Sequence, residues 1–247
     1  MTVEKKSFIY GIRPVMEALS SGQPVDKVLI RTSLKGELFQ EFFAAVRASG
    51  IPFQFVPSGK LDRVTRKNHQ GVIAFLSPVD FYRIEDVLPG LFEQGKNPFL
   101  LILDGLTDVR NFGAVLRTAE CAGVHAVIIP QKNFARVGED AAKTSAGALY
   151  RIPLCRTASL EEAVDYIKKS GIQVIGVTEK TQTDYDDLEM ANPTALVMGS
   201  EDRGISPGLM QKANFLARIP LAGEIGSLNV SVAAGIMIYE VVRQRNG

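Results

Sequence analysis

The sequence predicts an α/β protein whose parallel sheet is covered by helices on both faces and is preceded by a smaller α/β unit. Three observations predict this class. Apolar segments of strand length alternate with amphipathic segments of helix length through most of the 247 residues. Phe99–Leu103 is uninterruptedly apolar, as in parallel strands that are buried on both faces. A stretch bounded by Pro and Gly separates the early elements from the later ones, which indicates two domains.

The first predicted domain comprises residues 1–78. Apolar periodicity predicts helices over 10–20, 36–49 and 58–66, and strands over 25–32, 51–56 and 71–76. The side of the second helix that we expect to be buried carries Leu38, Phe39, Phe42, Phe43 and Val46. Residues 79–97 are predicted to be a linker that holds a short helix.

The second predicted domain comprises residues 98–247. Strands are predicted over 99–103, 126–129, 172–177, 195–198 and 216–219, and helices over 112–122, 139–149, 160–170, 205–213 and 228–242. This alternation is typical of a parallel sheet with helices on both faces. The last helix is apolar on more than one side, so one face is expected to meet something besides its own sheet.

Composition argues against several classes of protein. Hydrophobic residues make up 46% of the chain and charged residues 22%, with no apolar run near the roughly 20 residues that cross a bilayer. The first residues, Met1 to Lys6, lack the apolar core of a signal peptide, so we expect a cytoplasmic protein. Cys121 and Cys155 have no metal-ligand spacing around them and are expected to be buried thiols in a reducing compartment.

Several common catalytic motifs are missing from the sequence. No G-x-G-x-x-G follows a strand, and neither a P-loop nor a G-x-S-x-G elbow occurs. His69 and His125 are the only histidines, and His125 adjoins an apolar strand, where a structural role is expected. A metal site and a Ser–His–Asp triad are therefore poorly supported.

Charge is unevenly distributed along the chain. Residues 1–80 carry 11 Lys and Arg against 7 Asp and Glu, whereas the remainder carries 17 against 20. The first domain is therefore the expected place for a polyanion to dock. The residues predicted to contact it are Arg13, Lys60, Arg63, Arg66, Lys67 and His69. The alternative is a solvated basic face without a ligand.

Ligands of open α/β sheets bind beyond the carboxyl ends of the strands, so the loops there are candidate sites. The loop after Leu103 leads to Asn111 and Arg117, and Gly113 one turn earlier leaves the guanidinium accessible. The alternative makes Asn111 or Asp108 a helix N-cap and Arg117 a solvated surface charge.

Two further loops follow later strands. In the first, Gly199 lets a backbone approach a ligand closely and Gly204 eases entry into the next helix, although Glu201 can be a plain loop acid. In the second, Ser227 suits an N-cap of the final helix. Asn229 and Ser231 add two polar groups to the first turn of that apolar helix, whereas a well-capped buried helix needs neither.

Together, the three loops resemble the three signature motifs of the SpoU family of RNA ribose 2′-O-methyltransferases. The matching stretches are Asn111 through Arg117-Thr118, Gly199-x-Glu201-x-x-Gly204, and Ile219-Pro220 through Ser227-Leu228-Asn229-Val230-Ser231. The first domain is similar to that family's RNA-binding substrate domain, which resembles a ribosomal-protein fold. The matching stretches there are Ile9-Tyr10-Gly11-Ile12 to Leu19 and Asn68-His69-Gln70-Gly71-Val72. This pairing of domains points to the subgroup that modifies a guanosine in large-subunit ribosomal RNA.

The resemblance implies a trefoil knot at the C-terminal end of the sheet, S-adenosylmethionine bound in it, and a homodimer that packs through the final helix. The implied cofactor-binding residues are Leu196, Met198, Gly199, Ile219, Leu221 and Leu228. The implied active-site residues are Asn111, Arg117, Glu201, Ser227 and Asn229. Val109 stands where many members have proline, which loosens the first loop slightly.

Arginine stays protonated in proteins, so we expect Arg117 to clamp an RNA phosphate rather than to act as the base. Two alternatives remain. The substrate can be transfer RNA, although such members usually resemble the catalytic unit with short terminal extensions. The protein can also be a non-catalytic RNA-binding or ribosome-assembly factor, although a binder has no need of Arg117, Glu201 and Asn229 together.

Overall fold

The computed structural model describes residues 8–247, which form two compact units. One unit is the chain up to Asp80 together with Val137–Glu139, and the other is Phe81–Arg136 with Asp140–Gly247. Residues 1–6, on which the expectation of no signal peptide depends, lie outside the described residues. Within residues 8–247, no helix is long and apolar enough to cross a membrane.

The described part of the first unit, from residue 8 onward, is a four-stranded sheet with three helices. Its elements are β1 (Phe8–Tyr10), α1 (Ile12–Ser20), β2 (Val25–Arg31), α2 (Glu37–Ala48), β3 (Phe53–Val56), α3 (Ser58–Asp62) and β4 (Val72–Leu76). The strand order is β1-β4-β2-β3, with β2 and β3 parallel and the other pairs antiparallel. The strand β1 was not predicted, because three residues are too few to establish an alternating pattern.

The helix α2 packs on this sheet through Phe42 and Val46, which are fully buried. The prediction that Leu38 belongs to the buried side is wrong, since this residue is 40% exposed. Leu38 lies in the first turn of the helix, one turn before Phe42, where the cluster of buried residues ends. Phe39 and Phe43 are half-buried at the border of the same cluster.

The second unit is a six-stranded, wholly parallel sheet. Its strands are β5 (Phe99–Leu103), β6 (Ala126–Pro130), β7 (Leu154–Thr157), β8 (Gln173–Val177), β9 (Thr194–Met198) and β10 (Phe215–Ala217). Its helices are α4 (Ile84–Glu93), α5 (Val109–Cys121), α6 (Glu139–Thr144), α7 (Leu160–Lys169), α8 (Pro207–Lys212) and α9 (Val230–Asn246). The strand order is β10-β8-β9-β5-β6-β7, and the central strands β9 and β5 are buried along their whole length.

Beyond shifts in the bounds of other elements, three elements of this unit differ from the sequence-based prediction. The strand β7 was not predicted, because Arg156 and Thr157 break its apolar pattern. The predicted helix over 139–149 is α6 followed by a short 3₁₀ helix, Ala148–Tyr150, since Gly147 takes a left-handed conformation with φ of 89°. In the segment predicted as a linker, α4 packs into the core of the second unit.

The two cysteines differ in environment. Cys155 is buried as predicted, and burial, followed by the nearby acids Glu85 and Asp86, raises the pKa of its thiol to about 12. The prediction that Cys121 is buried is wrong: it is exposed, because it ends α5 on the face away from Ala119 and the core.

Candidate active site

The predicted motif loops meet at one edge of the large sheet. The strands β10, β8, β9 and β5 are consecutive neighbours and parallel, so their carboxyl ends lie side by side. The loops that follow β5, β9 and β10 are the three predicted from sequence. The fourth, after β8, was missed, because nothing local in the sequence says that β8 lies between β9 and β10.

A cleft of about 280 Å³ opens among these loops. Its lining includes five of the six predicted cofactor residues: Met198, Gly199, Ile219, Leu221 and Leu228. The sixth, Leu196, is fully buried inside β9, two residues before the cleft begins. The missed loop contributes Val177, Thr178, Glu179 and Lys180. The cleft therefore combines apolar walls with a polar rim.

Glu201 is the point at which all three motif loops are joined. Its Oε1 atom accepts hydrogen bonds from Nδ2 of Asn229 at 2.5 Å, from Nδ2 of Asn111 at 3.0 Å and from the backbone N–H of Val230 at 3.4 Å. Asn229 Nδ2 also lies 3.1 Å from Oδ1 of Asn111. The structure thus brings together three of the five predicted active-site residues in one hydrogen-bond network.

The start of α9 explains the two polar groups in an otherwise apolar stretch. Asn229 is the N-cap: its Oδ1 accepts from the backbone N–H of Ser231 at 2.9 Å and from the Ser231 hydroxyl at 2.5 Å. The prediction that Ser227 is the N-cap is wrong, because the helix begins at Val230. Ser227 instead lies exposed on the lining of the cleft.

The second loop is a tight turn that holds Glu201 in place. The backbone N–H of Gly204 donates to the carbonyl of Ser200 at 2.8 Å, and Gly204 has a positive φ of 66°. A Cβ atom on Gly199 would lie 2.0 Å from the carbonyl carbon of Gly204. The close approach that requires glycine at this position is therefore made by the protein's own backbone, whereas the sequence had suggested a ligand.

The first loop is fixed by capping and by contact with the second loop. The Oδ1 of Asp108 accepts from the backbone N–H groups of Arg110 and Asn111 at 2.8 and 2.9 Å, which makes Asp108 the N-cap of α5 and frees the Asn111 side chain. The carboxylate of Asp104 accepts from the Ser206 N–H at 2.7 Å. These bonds hold Asn111 within reach of Glu201.

Gly113 does not provide the open access to Arg117 that we predicted. A Cβ at Gly113 would lie 2.0 Å from Oγ1 of Thr144, so α6 packs directly on this face of α5. Arg117 follows Asn111 by six residues, which places it about 9 Å further along the helix and roughly 120° around it. Its side chain is exposed and makes no hydrogen bond or ion pair within residues 8–247. Arg117 is therefore free to meet a ligand.

Two protein-family models match the chain. A model of the SpoU rRNA methylase family matches residues 98–239, and a model of the RNA 2′-O ribose methyltransferase substrate-binding domain matches residues 8–82.

The chain belongs to the SpoU rRNA methylase family.

Its relatives extend over the same length. The Bacillus subtilis protein YacO, assigned to the TrmH family of tRNA/rRNA methyltransferases, is 34% identical over 244 residues, which are 98% of each chain. Membership of the SpoU family makes this chain an RNA methyltransferase that acts on ribose 2′-oxygens.

Solved structures confirm the predicted fold class. An AdoMet-bound rRNA methyltransferase from Sinorhizobium meliloti has a TM-score of 0.61 and 26% identity, and the match covers 96% of this chain and 86% of that one. The A. aeolicus TrmH/SpoU tRNA modifying enzyme has a TM-score of 0.55 and 26% identity, but the match covers only 66% of this chain and 84% of that one. About one third of this SpoU chain therefore lies outside the match to the tRNA enzyme.

The substrate-binding domain of this SpoU protein carries the predicted basic residues. Those that are exposed are Arg13, Lys60, Arg63, Arg66 and Lys67. His69 has an 11% exposed side chain whose Nδ1 accepts from the Gly71 N–H at 3.0 Å and whose Nε2 lies 3.1 Å from Oδ1 of Asp62. Both ring nitrogens are thus engaged within the chain, and His69 shapes the loop beside the basic residues.

The loop that holds His69 also closes on the start of α1. The Oε1 atom of Gln70 accepts from the Ile12 N–H at 3.1 Å, and Gln70 has a positive φ of 51°. This bond joins the two stretches by which the first domain was matched to its family, and Arg13 lies next to it.

Among the described residues, no group of three or more His, Cys, Asp or Glu side chains is arranged to hold a metal ion.

Proposed function

We propose that this protein transfers a methyl group from S-adenosylmethionine to the ribose 2′-oxygen of a guanosine in large-subunit ribosomal RNA. The observation that carries the proposal is the hydrogen-bond network of Asn111, Glu201 and Asn229 at the edge of the cleft. An RNA-binding protein without activity has no use for three loops tied together beside a ligand-sized opening.

The cleft fits S-adenosylmethionine, the cofactor of the SpoU family, in size and chemistry. Its volume is close to the lower end of the roughly 300–1,000 Å³ range of small-molecule sites. Met198, Ile219 and Leu228 offer apolar surface for an adenine ring, and the polar rim suits the amino-acid end of the molecule. When bound, S-adenosylmethionine supplies an electrophilic methyl group on its sulfonium sulfur. The AdoMet-bound Sinorhizobium meliloti protein, which shares this fold, supports the assignment.

The predicted active-site residues would align the ribose for methyl transfer. Glu201 Oε1 already accepts three hydrogen bonds, so its part is to hold the loops rather than to take a proton. Asn111 orients the ribose from the start of α5. Arg117 stays protonated and clamps the RNA phosphate with two parallel donors. The hydroxyl proton then passes to that phosphate or to a water, and alignment alone lowers the barrier by several kcal/mol.

Ribosomal RNA is favoured over transfer RNA by the first unit. The substrate-binding model covers residues 8–82, and the tRNA enzyme from A. aeolicus leaves one third of this chain unmatched. The five exposed basic residues offer phosphate contacts, and phosphate contacts make RNA affinity fall steeply with salt. We also propose that the protein is cytoplasmic. We further propose a homodimer, supported by an exposed apolar stripe on α9 that includes Val232 and Tyr239.

Methyl transfer from labelled S-adenosylmethionine tests the proposal. Unmodified ribosomal RNA and transfer RNA are offered separately, and alkali-resistant linkages are then mapped. We expect label in large-subunit ribosomal RNA at a guanosine. Label only in transfer RNA would refute the substrate assignment, and no label in either RNA would favour the non-catalytic alternative.

A further inference from the structure

Four phenylalanine rings form a connected cluster on the first unit, which we call the aromatic platform: Phe39, Phe43, Phe53 and Phe55. The Phe43 ring lies at the centre of the cluster, with its centroid 5.7 Å from Phe39, 5.2 Å from Phe53 and 5.6 Å from Phe55. Phe53 and Phe55 meet edge to face at 5.9 Å. The contacts explain how the rings are held in place, but they do not explain why two of them face solvent.

The platform lies at an open edge of the small sheet. The strand β3 is last in the order β1-β4-β2-β3, so within residues 8–247 one side of it has no neighbouring strand. Three successive residues of β3 are exposed, with Phe53 at 36% and Phe55 at 42%. A contiguous apolar patch on an edge strand is a feature that proteins normally avoid, and its presence marks an interaction surface.

Positive charge flanks the platform, whereas negative charge lies away from it. Arg47 follows Phe43 by one turn and is exposed on the same side of α2. The two acids of α2, Glu37 and Glu41, are each two residues from a platform ring, which places them roughly 160° around the helix. The helix therefore presents a cation beside the rings and turns its acids to the opposite side.

The other face of β3 is also basic. Gln54, between the two exposed rings, accepts a hydrogen bond from Nζ of Lys27 at 2.9 Å. Lys60 belongs to α3, whose Leu61 shares a buried cluster with Val56 of β3 on this face. Burial, and then the charge of Lys60, lowers the pKa of Lys27, whereas Asp26 raises it. Lys60 is also one of the basic residues predicted to bind RNA. The edge strand thus has rings on one face and two lysines on the other.

We propose that the aromatic platform stacks unpaired bases of the RNA substrate, while Arg47, Lys27 and Lys60 contact the adjoining phosphates. This inference rests on the proposed function, because it supplies a docking site for the RNA that is methylated. Unpaired bases stack on aromatic side chains, and cations that follow the backbone accompany such rings in single-strand-binding proteins. A protein strand added at this edge would use main-chain hydrogen bonds and would have no need of the flanking cations.

Fluorescence anisotropy of the full-length protein with labelled single-stranded oligoadenylate tests the platform. Removing stacking rings weakens single-strand binding substantially, so Phe53→Ala with Phe55→Ala should lower affinity about tenfold or more. Phe53→Leu with Phe55→Leu keeps apolar bulk and should lose affinity as well, whereas the double Tyr variant should bind as the wild type does. Phe92→Ala, which removes an exposed ring from α4, is the matched control and should change nothing.

Several outcomes would overturn the proposal that the aromatic platform stacks RNA bases. Unchanged affinity in the alanine variant, or full affinity in the leucine variant, would show that stacking is not used. Loss of self-association in sedimentation, with RNA affinity retained, would make a second copy of the chain the occupant. Circular dichroism identifies any variant that fails to fold, and the leucine pair then carries the comparison.

Different results would refute the stacking role of the aromatic platform and the proposed methyltransferase function. Full methyl transfer with unchanged RNA affinity in the ring variants would refute the platform alone. Oligoadenylate binding that depends on the rings, without methyl transfer to any RNA, would support the platform as an RNA site and refute the proposed function.

Discussion

The Nδ2 atom of Asn229 lies 2.5 Å from Oε1 of Glu201, although 28 residues separate them in the chain. The same amide group caps α9 through its oxygen, so one side chain both starts a helix and ties that helix to the loop after β9. Any shift of α9 would therefore move Glu201, and with it Asn111.

Replacing Asn229 with Ala should remove the cap and the link to Glu201 together. Loss of an N-cap costs about 1 kcal/mol of stability. We expect turnover to fall much further than this small stability loss explains, because Asn111 and Glu201 lose their common partner. Ser159→Ala is the control, since Ser159 caps α7 through the Glu162 N–H. Equal turnover in the two variants, measured at matched temperature below unfolding, would contradict a role for the network.

Replacing Gly199 with Ala should abolish cofactor binding. The added Cβ would lie 2.0 Å from the Gly204 carbonyl carbon, so the turn that holds Glu201 must move. Overpacking of this kind typically lowers the free energy of unfolding by about 1–3 kcal/mol. Gly90→Ala is the control, because a Cβ there meets no atom of the described residues within 4 Å. Calorimetry with S-adenosylmethionine measures the effect, and wild-type affinity in Gly199→Ala would remove this loop from the cofactor site.

Replacing Arg117 with Ala should lower kcat about a hundredfold or more, as loss of a transition-state donor does elsewhere. Cofactor affinity should stay near the wild-type value, since Arg117 is not part of the cleft lining. Arg117→Lys should restore little, because an ammonium lacks the planar pair of donors.

Single-turnover methylation rates separate the possible roles of Arg117. A raised KM with normal kcat would indicate ground-state RNA binding instead of a phosphate clamp. A near-normal rate in the lysine variant would also rule out the clamp. Arg83→Ala, at an exposed arginine paired with Glu85, is the control and should leave the methylation rate unchanged.

Replacing Val232 or Tyr239 with Glu should dissociate the proposed homodimer. The two residues are seven positions apart on α9, hence on one face, and are 52% and 50% exposed. Because both are exposed in the single chain, the fold should survive the change. Phe92→Glu introduces a charge at another exposed apolar position and is the control. A wild-type protein that sediments as a fully active monomer would refute the dimer.

Acid should destabilise the protein through His125. Burial, then the charges of Arg245 and Lys96, lowers the pKa of His125 from its ordinary value of 6.5. Below pH 6.5 the unfolded chain therefore binds a proton at His125 more readily than the folded chain does. The contribution of neutral His125 to the free energy of unfolding is complete above pH 6.5 and is lost as the pH falls through the lowered folded pKa. The neutral ring accepts the Phe99 N–H at 3.0 Å through Nδ1, which a protonated ring cannot do.

Two variants isolate this effect of pH. His125→Asn retains an acceptor without the titration, so its unfolding free energy should lack the His125 step. His125→Ala should lose about 1–3 kcal/mol of unfolding free energy above pH 6.5, where the wild-type ring is neutral, because the N–H of Phe99 is then left unpaired only in the variant. The free energy of unfolding, measured with denaturant from above pH 6.5 down through the folded pKa of His125, tests both variants. An identical pH profile in the wild type and His125→Asn would contradict the assignment.

Local patterns in the sequence were sufficient for the buried parallel strands. The bounds of β5 agree with the prediction and those of β9 differ by one residue, because a strand covered on both faces is a continuous apolar run. Local patterns did not predict the strand β7 or the exposure of Cys121. An edge strand needs little apolar sequence, and a residue that ends a helix is buried only if something packs over that end.

The sequence by itself determined the alternation of strands and helices, the polar pair at the start of an apolar helix and the three motifs that identify the family. Only the tertiary structure decided that Asn111, Glu201 and Asn229 share one network, that Thr144 fills the space beside Gly113 and that the loop after β8 lines the cleft. The physical reason is that periodicity reports which face of an element is buried. The order β10-β8-β9-β5 depends instead on crossovers between distant strands, and that order decides which loops meet.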